Sequence, residues 1–237
     1  METVVITGAN RGIGLALARE GVKRGYRVIG SSRQPREAIE LNDLAREAVG
    51  LCEVLPLDVV DPASVEAFAR SVERKVDLLI NNAGIFGDGA FSMSAPSQSF
   101  ESIDFEIWRR VMETNLHAPF RLTRALIANL SQSANPRVIM MSSDLGSITN
   151  NHLGQSHAYR TSKAGLNMVA RGLANDLRKR AITVVSMAPG WCRTDLGGAD
   201  APIDPADSAR GQFDVYAGLT LEKSGGFVNF EGKTVPW

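Results

Sequence analysis

Thr3-Val4-Val5-Ile6-Thr7-Gly8-Ala9-Asn10-Arg11-Gly12-Ile13-Gly14 is a short apolar run that breaks into a glycine-rich turn and then enters a helical pattern. A buried strand, a tight turn and the amino end of a helix make a ready anion site. Gly8 and Gly12 let the backbone turn and approach a pyrophosphate, and the helix then offers free N–H groups and a partial positive charge. The spacing is GxxxGxG, not the commoner GxGxxG, so position carries the reading: the turn joins the first strand to the first helix. Cofactor contacts are expected here at Gly8, Asn10, Arg11, Gly12, Ile13 and Gly14.

Further short apolar runs follow at Arg27–Gly30, Cys52–Leu57, Asp77–Ile80, Arg137–Met141 and Ile182–Met187, with a weaker one at Gly226–Phe230. They are apolar without alternation, as strands covered on both faces must be. Helical patterns at Ile13–Arg24, Glu37–Val49 and Pro62–Arg74 lie between them. The alternation predicts one Rossmann-type, doubly wound α/β domain over residues 1–237, with a mostly parallel seven-stranded sheet and helices on both faces. Two irregular segments, Gly87–Ser102 and Gly190–Asp207, follow strand ends on the side where such sheets bind ligands, and the second is expected to close over the substrate.

Composition excludes several classes. Lys+Arg and Asp+Glu both number 26, which gives no bulk electrostatic case for nucleic acid or an anionic membrane. Cys52 and Cys192 are the only cysteines and make no disulfide framework. His117, His152 and His157 lack a metal-binding spacing, so no metal is expected. With neither a secretory signal nor an apolar run of spanning length, the expected location is the cytoplasm.

The second apolar run ends Ser31-Ser32-Arg33. An NAD-binding chain usually carries a carboxylate there for the ribose hydroxyls. Here Ser32 stands in that place with Arg33 after it, and Arg11 is expected to face the same ribose. Two guanidinium groups suit a 2′-phosphate, so NADP(H) is expected over NAD(H).

Tyr159 and Lys163 are four apart at the start of a long helical pattern, on one helix face. An ammonium beside a phenol favours the phenolate and makes the tyrosine a candidate acid/base. The fifth strand ends Met141-Ser142-Ser143, and either hydroxyl is placed to bond a substrate carbonyl. Asn115 falls on the apolar stripe of Trp108, Val111, Met112, Leu116 and Phe120, where an unsatisfied amide is costly. Pro119, four residues on, has no N–H for the Asn115 carbonyl.

These residues, in this order and register, resemble the short-chain dehydrogenase/reductase family from Thr3 to nearly the end. The motifs are TGxxxGxG at Thr7–Gly14, Asp58, Asn81-Asn82-Ala83-Gly84, Asn115, Ser143, Tyr159, Lys163 and Pro189-Gly190 with Thr194. Within the family the chain is similar to the sniffer and C-factor group of carbonyl reductase-like proteins, on Ser143–Ile148, Tyr159–Met168, Pro189–Trp191, Arg193–Gly198 and Gly232–Trp237.

The resemblance implies that Tyr159 protonates the carbonyl oxygen and that Lys163 binds the nicotinamide ribose. It implies that Ser143, the second of its pair, orients the carbonyl and that Asn115 holds a water in the proton relay. It places Asp58 at the adenine, Asn81 and Gly84 behind the cofactor and Thr194 at the carboxamide, with Val59, Ala83, Pro189 and Gly190 also expected to bind the cofactor. The expected reaction is NADPH-dependent reduction of a small aldehyde, ketone or quinone. The alternatives are an NADP(H)-binding signalling or regulatory protein of C-factor type with little turnover, and an NAD-linked alcohol dehydrogenase, which Ser32 and Arg33 disfavour. Ser143 and Tyr159 are sixteen positions apart where many members have thirteen, so Thr149–His157 is expected over the substrate pocket. A homodimer or homotetramer through the helices bearing Asn115 and Tyr159 is expected.

Overall fold

The seven runs form seven strands: β1 (Thr3–Ile6), β2 (Arg27–Ser32), β3 (Cys52–Pro56), β4 (Leu78–Asn81), β5 (Arg137–Met141), β6 (Thr183–Ala188) and β7 (Phe227–Asn229). The computed structural model describes residues 1–87, 89, 91 and 96–237, so the loop predicted over Gly87–Ser102 lies partly outside the described residues. The strands make one sheet in the order β3-β2-β1-β4-β5-β6-β7, and every neighbouring pair is parallel where a mostly parallel sheet was expected. The chain winds outward from β1 to β3, then returns to β4 beside β1, so the switch point lies between β1 and β4. That crevice, at the carboxyl ends of the strands, is where such sheets take their ligands.

The helices are α1 (Gly12–Lys23), α2 (Ile39–Glu47), α3 (Pro62–Ser71), α4 (Phe105–Met112), α5 (Ala118–Ala125), α6 (Ile127–Leu130), α7 (His157–Asp176) and α8 (Pro205–Ala217). Their starts are legible as chemistry. Asp61 and Asp204 each accept the N–H two residues on, from Ala63 and Ala206, with proline as the first helical residue of α3 and α8. Asp104 caps α4 through Glu106 and Ile107. The predicted helix Glu37–Val49 is shorter in fact, because Pro35–Glu37 forms a separate 3-10 turn. The helix predicted to Arg74 stops at Ser71.

The strands from β1 to β6 feed two cores, as their lack of alternation requires. Val4, Ile6, Val28 and Val185 pack against Leu17 of α1 and Phe213 and Tyr216 of α8. Val5, Ile29, Leu79 and Val138 face the opposite layer, against Phe68 of α3, Leu122 of α5 and Leu166 of α7. Burying a side chain of this size contributes about 1.5–3 kcal/mol, so the sheet is a rigid base for the loops at its carboxyl edge.

Candidate active site

The glycine loop is built as expected. Gly8 and Gly12 both have positive φ, 63° and 54°. Gly14 is needed for close approach: a Cβ there would lie 2.1 Å from the Gly8 carbonyl oxygen and 2.6 Å from Asn82 Nδ2. Asn10, half-buried, and Ile13, partly buried beside the α1 core, lie in this loop. It leans on the exit of β4. Asn82 Nδ2 donates to the carbonyls of Thr7 (2.8 Å) and Gly8 (3.3 Å), and the N–H groups of Asn82 and Ala83 donate to Thr7 Oγ1. Asn82 and Thr7 were not among the predicted site residues. Their signal was present in the sequence, since both lie inside the quoted motifs.

Asn81 is placed differently from its neighbour Asn82. Its side chain is buried and turned away from the crevice, donating to Thr123 Oγ1 at 3.1 Å and to Met140 Sδ at 3.5 Å. It is the last residue of β4, and side chains alternate along a strand, so Asn81 faces the α5 layer while Asn82 braces the loop.

The end of β2 presents Ser32, buried, whose Oγ accepts the Gln34 N–H, and exposed Arg33, which has no ion-pair partner among the described residues. Arg11 departs from its expected direction. It ion-pairs with Asp195 at 2.7 Å, both side chains well exposed, and so reaches toward the loop after β6. An opposite charge within reach attracts the flexible guanidinium, at little energetic gain in such exposure. That loop meets the glycine turn directly, since a Cβ on Gly12 would lie 3.2 Å from Thr194 Cγ2. Pro189 and Gly190 lead into it; Thr194 Oγ1 accepts the Gly197 N–H, and Gly190 has φ 81°. Cys192 is turned inward, donating to the Pro189 carbonyl, and is not exposed to a ligand. Asp58, beyond β3, accepts the Val60 N–H in a local turn, and the Val59 carbonyl accepts from Arg121.

The four residues expected to be catalytic converge. Tyr159 and Lys163 stand in the first turns of α7, and Lys163 Nζ lies 5.5 Å from the Tyr159 ring centroid. Lys163 Nζ donates to the Met141 carbonyl at the end of β5 at 2.7 Å. Burial lowers its pKa to about 8, and burial pushes the Tyr159 phenol up to about 12 against the opposing effect of a hydrogen bond with Ser143. Of the two serines, Ser143 is the one that bears on the phenol and lowers its pKa, while Ser142 Oγ is buried without a hydrogen-bond partner among the described residues. Asn115 is fully buried in a π-helical turn, Glu113–His117, in which the Ala118 N–H reaches the Glu113 carbonyl five residues back. Such turns are rare and are common at functional sites. Its side chain clamps Ile85 in both directions, at 2.9 and 2.8 Å, and donates to Ser162 Oγ. Gly84 floors the same space, for a Cβ there would lie 3.2 Å from Asn115 Oδ1 and 3.6 Å from Lys163 Nζ.

Around the phenol, Phe86, Phe91, Leu145 and Leu196 form an apolar wall, continued by Trp191 against Phe91. Within the segment Thr149–His157, the Thr149 N–H donates to the Trp237 carbonyl at 2.8 Å. The apolar stripe also differs in part, with Phe120 exposed and Trp108 half-buried. A groove of about 720 Å³ between α8 and β7 is lined by none of the predicted site residues.

A model of the short chain dehydrogenase family matches residues 2–202. The chain belongs to the short-chain dehydrogenase/reductase family. It is an oxidoreductase by that membership. This short-chain dehydrogenase/reductase is 39% identical over 174 residues to the C-signal of Myxococcus xanthus, covering 73% of this chain and 100% of the relative. The NADPH-bound carbonyl reductase from chicken fatty liver superposes with a TM-score of 0.91 at 33% identity, covering 100% of this chain and 99% of the other. The carbonyl reductase Sniffer of D. melanogaster superposes at 0.92 with 30% identity, each chain covered in full. No group of His, Cys, Asp or Glu able to hold a metal occurs among the described residues, and no described helix is long and apolar enough to cross a membrane.

Proposed function

We propose that this protein is an NADPH-dependent carbonyl reductase that converts a small aldehyde, ketone or quinone to the alcohol. The observation that carries the reading is the meeting of Ser143, Tyr159 and Lys163 at one apolar wall beside the switch-point crevice. The residues suit the cofactor. The Gly8–Gly14 turn leaves its backbone open to a pyrophosphate, and Arg33, with no ion-pair partner among the described residues, stands at the place of a 2′-phosphate. Relatives that bind NADPH support the same choice. When bound, NADPH supplies the hydride.

The chain's own groups supply the rest. The Ser143 hydroxyl orients the carbonyl oxygen toward the phenol. Tyr159, held neutral by its burial, donates the proton from Oη to that oxygen. The Lys163 ammonium, still charged at neutral pH with its pKa at about 8, stabilises the phenolate left behind. Asn115 fixes Ile85 and the floor at Gly84, and its backbone carbonyl beside Pro119 holds the water that returns the proton. Phe86, Phe91, Leu145 and Leu196 exclude bulk water from the transfer.

The similarity to the C-signal keeps a second reading, a cofactor-binding signalling protein with little turnover. A cytoplasmic homodimer or homotetramer is part of the proposal. The exposed Phe105, Phe120 and Met168 on α4, α5 and α7 suit the face of a partner copy.

The test is NADPH oxidation, followed by nicotinamide absorbance, against a panel of aldehydes, ketones and quinones. Turnover that falls about a thousandfold or more in Tyr159→Phe, with cofactor affinity kept, is the expected result. Tight NADPH binding without Tyr159-dependent turnover across the panel favours the signalling reading.

A further inference from the structure

The first turn of α7, which carries Tyr159, lacks the cap that its sequence offers. Ser156 stands at the N-cap position, where a serine in extended conformation normally accepts the N–H two or three residues on. Here Ser156 is left-handed, with φ 47° and ψ 38°, and its side chain caps nothing. Gln155 before it is left-handed as well, at φ 54°. The N–H of Tyr159, the third helical residue, would be an orphan donor in a buried place.

Gln98 fills that role from 61 residues away. Its Oε1 accepts the Tyr159 N–H at 2.9 Å, and its Nε2 donates to the Phe86 carbonyl at 2.9 Å. The side chain is 1% exposed, and both ends of the amide are used in the one orientation that matches donor to acceptor. Phe86 is itself in contact with Tyr159, ring centroids 5.1 Å apart. One amide therefore holds the backbone of the proton donor and the backbone of the wall beside it. Gln98 ends the turn Pro96–Gln98, within the irregular segment after β4. The adjoining Ser97 carbonyl accepts the Asp104 N–H, at the cap of α4. A Cβ on Gly87 would lie 2.7 Å from Gln98 Nε2, so the glycine there leaves room for the amide.

We infer that Gln98 is a positioning residue for Tyr159, tying the segment after β4 to the helix that carries the proton donor. The inference rests on the reductase reading for its catalytic consequence. The hydrogen bonds of the Gln98 side chain among the described residues go to Phe86 and Tyr159 and not to the cofactor loop, so its effect should fall on proton transfer more than on NADPH binding. Because burial already drives the phenol upward, loosening Tyr159 from Ser143 leaves it less able to ionise.

The experiment compares Gln98→Met, of similar length with neither hydrogen bond, and Gln98→Glu, which keeps an acceptor for the Tyr159 N–H. Active protein is counted by NADPH-binding stoichiometry. For Gln98→Met the expected result is kcat lowered about 10- to 100-fold with NADPH Kd within about twofold, and a phenolate limb in alcohol oxidation moved to higher pH. Gln98→Glu should recover part of kcat at the acidic end of the range, where a protonated carboxyl can also donate to Phe86, and lose it as pH rises. An unchanged kcat and pH limb in Gln98→Met overturns the inference. So does a fall in kcat matched by the fall in NADPH affinity, which marks a general structural role.

A readout free of turnover separates this inference from the reductase reading. Tyr159 ionisation is followed by phenolate absorbance as the difference from Tyr159→Phe, with NADP bound. A higher pKa in Gln98→Met supports the positioning role even if no carbonyl is reduced, and an unmoved pKa overturns it. Should Gln98→Met not fold, the same titration on Gln98→Glu decides, since its Tyr159 pKa should track carboxylate ionisation and a flat response refutes the coupling.

Discussion

Replacing Lys163 by methionine tests whether the ammonium is as deeply desolvated as the geometry has it. In the native protein the group is 4% exposed, held by the Met141 carbonyl and set beside the Tyr159 ring. Burial lowers its pKa from 10.5 to about 8. The unfolded chain therefore binds more protons than the native one between those two values, so native stability attributable to this residue rises with pH across that window. Below it, the folded protein carries the full cost of the buried charge. Methionine has no such dependence. Each pKa unit is worth about 1.4 kcal/mol, so wild type should gain about 2–3 kcal/mol on Lys163→Met between roughly pH 7 and pH 10.

The assay is urea denaturation of both proteins without cofactor at the two pH values. The loss of the Met141 hydrogen bond and the titration of other groups fall out of the comparison, because only the change in the difference is read. A difference that stays constant to within about 0.5 kcal/mol, or shrinks with pH, would refute the desolvation argument. The signed result bears on function too, for the same burial that costs stability keeps the positive charge undiluted beside the phenol.

Gly14→Ala should abolish NADPH binding or folding, because its Cβ would lie 2.1 Å from the Gly8 carbonyl; cofactor fluorescence titration with a circular dichroism spectrum tells which. Asn82→Ala should weaken NADPH binding about tenfold and cost about 1–3 kcal/mol of stability, since two loop carbonyls lose their donor. Calorimetric titration and thermal unfolding measure both effects. Arg33→Asp should raise the NADPH Kd by about tenfold or more while leaving NADH binding largely unchanged, and an equal effect on both cofactors would argue against a 2′-phosphate contact. Asp195→Asn, which frees Arg11, should change NADPH affinity by less than about fivefold because the pair is exposed.

Much of this was readable along the chain. Val4-Val5-Ile6 lacks alternation because neighbours cover it on both sides, and that local fact implies the layered sheet before any contact is known. The Tyr159–Lys163 spacing set both groups on one helical face for the same local reason. The glycines of Thr7–Gly14 announced the turn because only a residue without Cβ tolerates its backbone and its approach to Gly8.

Contacts between distant segments were decided only in three dimensions. Asn81 and Asn82 are alike in sequence, and the pleat of β4 alone sends one to Thr123 and the other to the glycine loop. The residues alone left Ser142 and Ser143 open and only the resemblance favoured Ser143; in the fold it is Ser143 that bears on the phenol. Arg11 turned to Asp195, 184 positions away, because long side chains on loops follow the charges that the fold sets near them. Gln98 gave no sign of its place, since nothing local shows that an amide after β4 will cap a helix 61 residues later. Sequence periodicity and backbone chemistry act over a few residues and so determined the elements and the shared helix face of Tyr159 and Lys163; the partners of each polar group depend on how those elements pack, and only the tertiary structure supplied them.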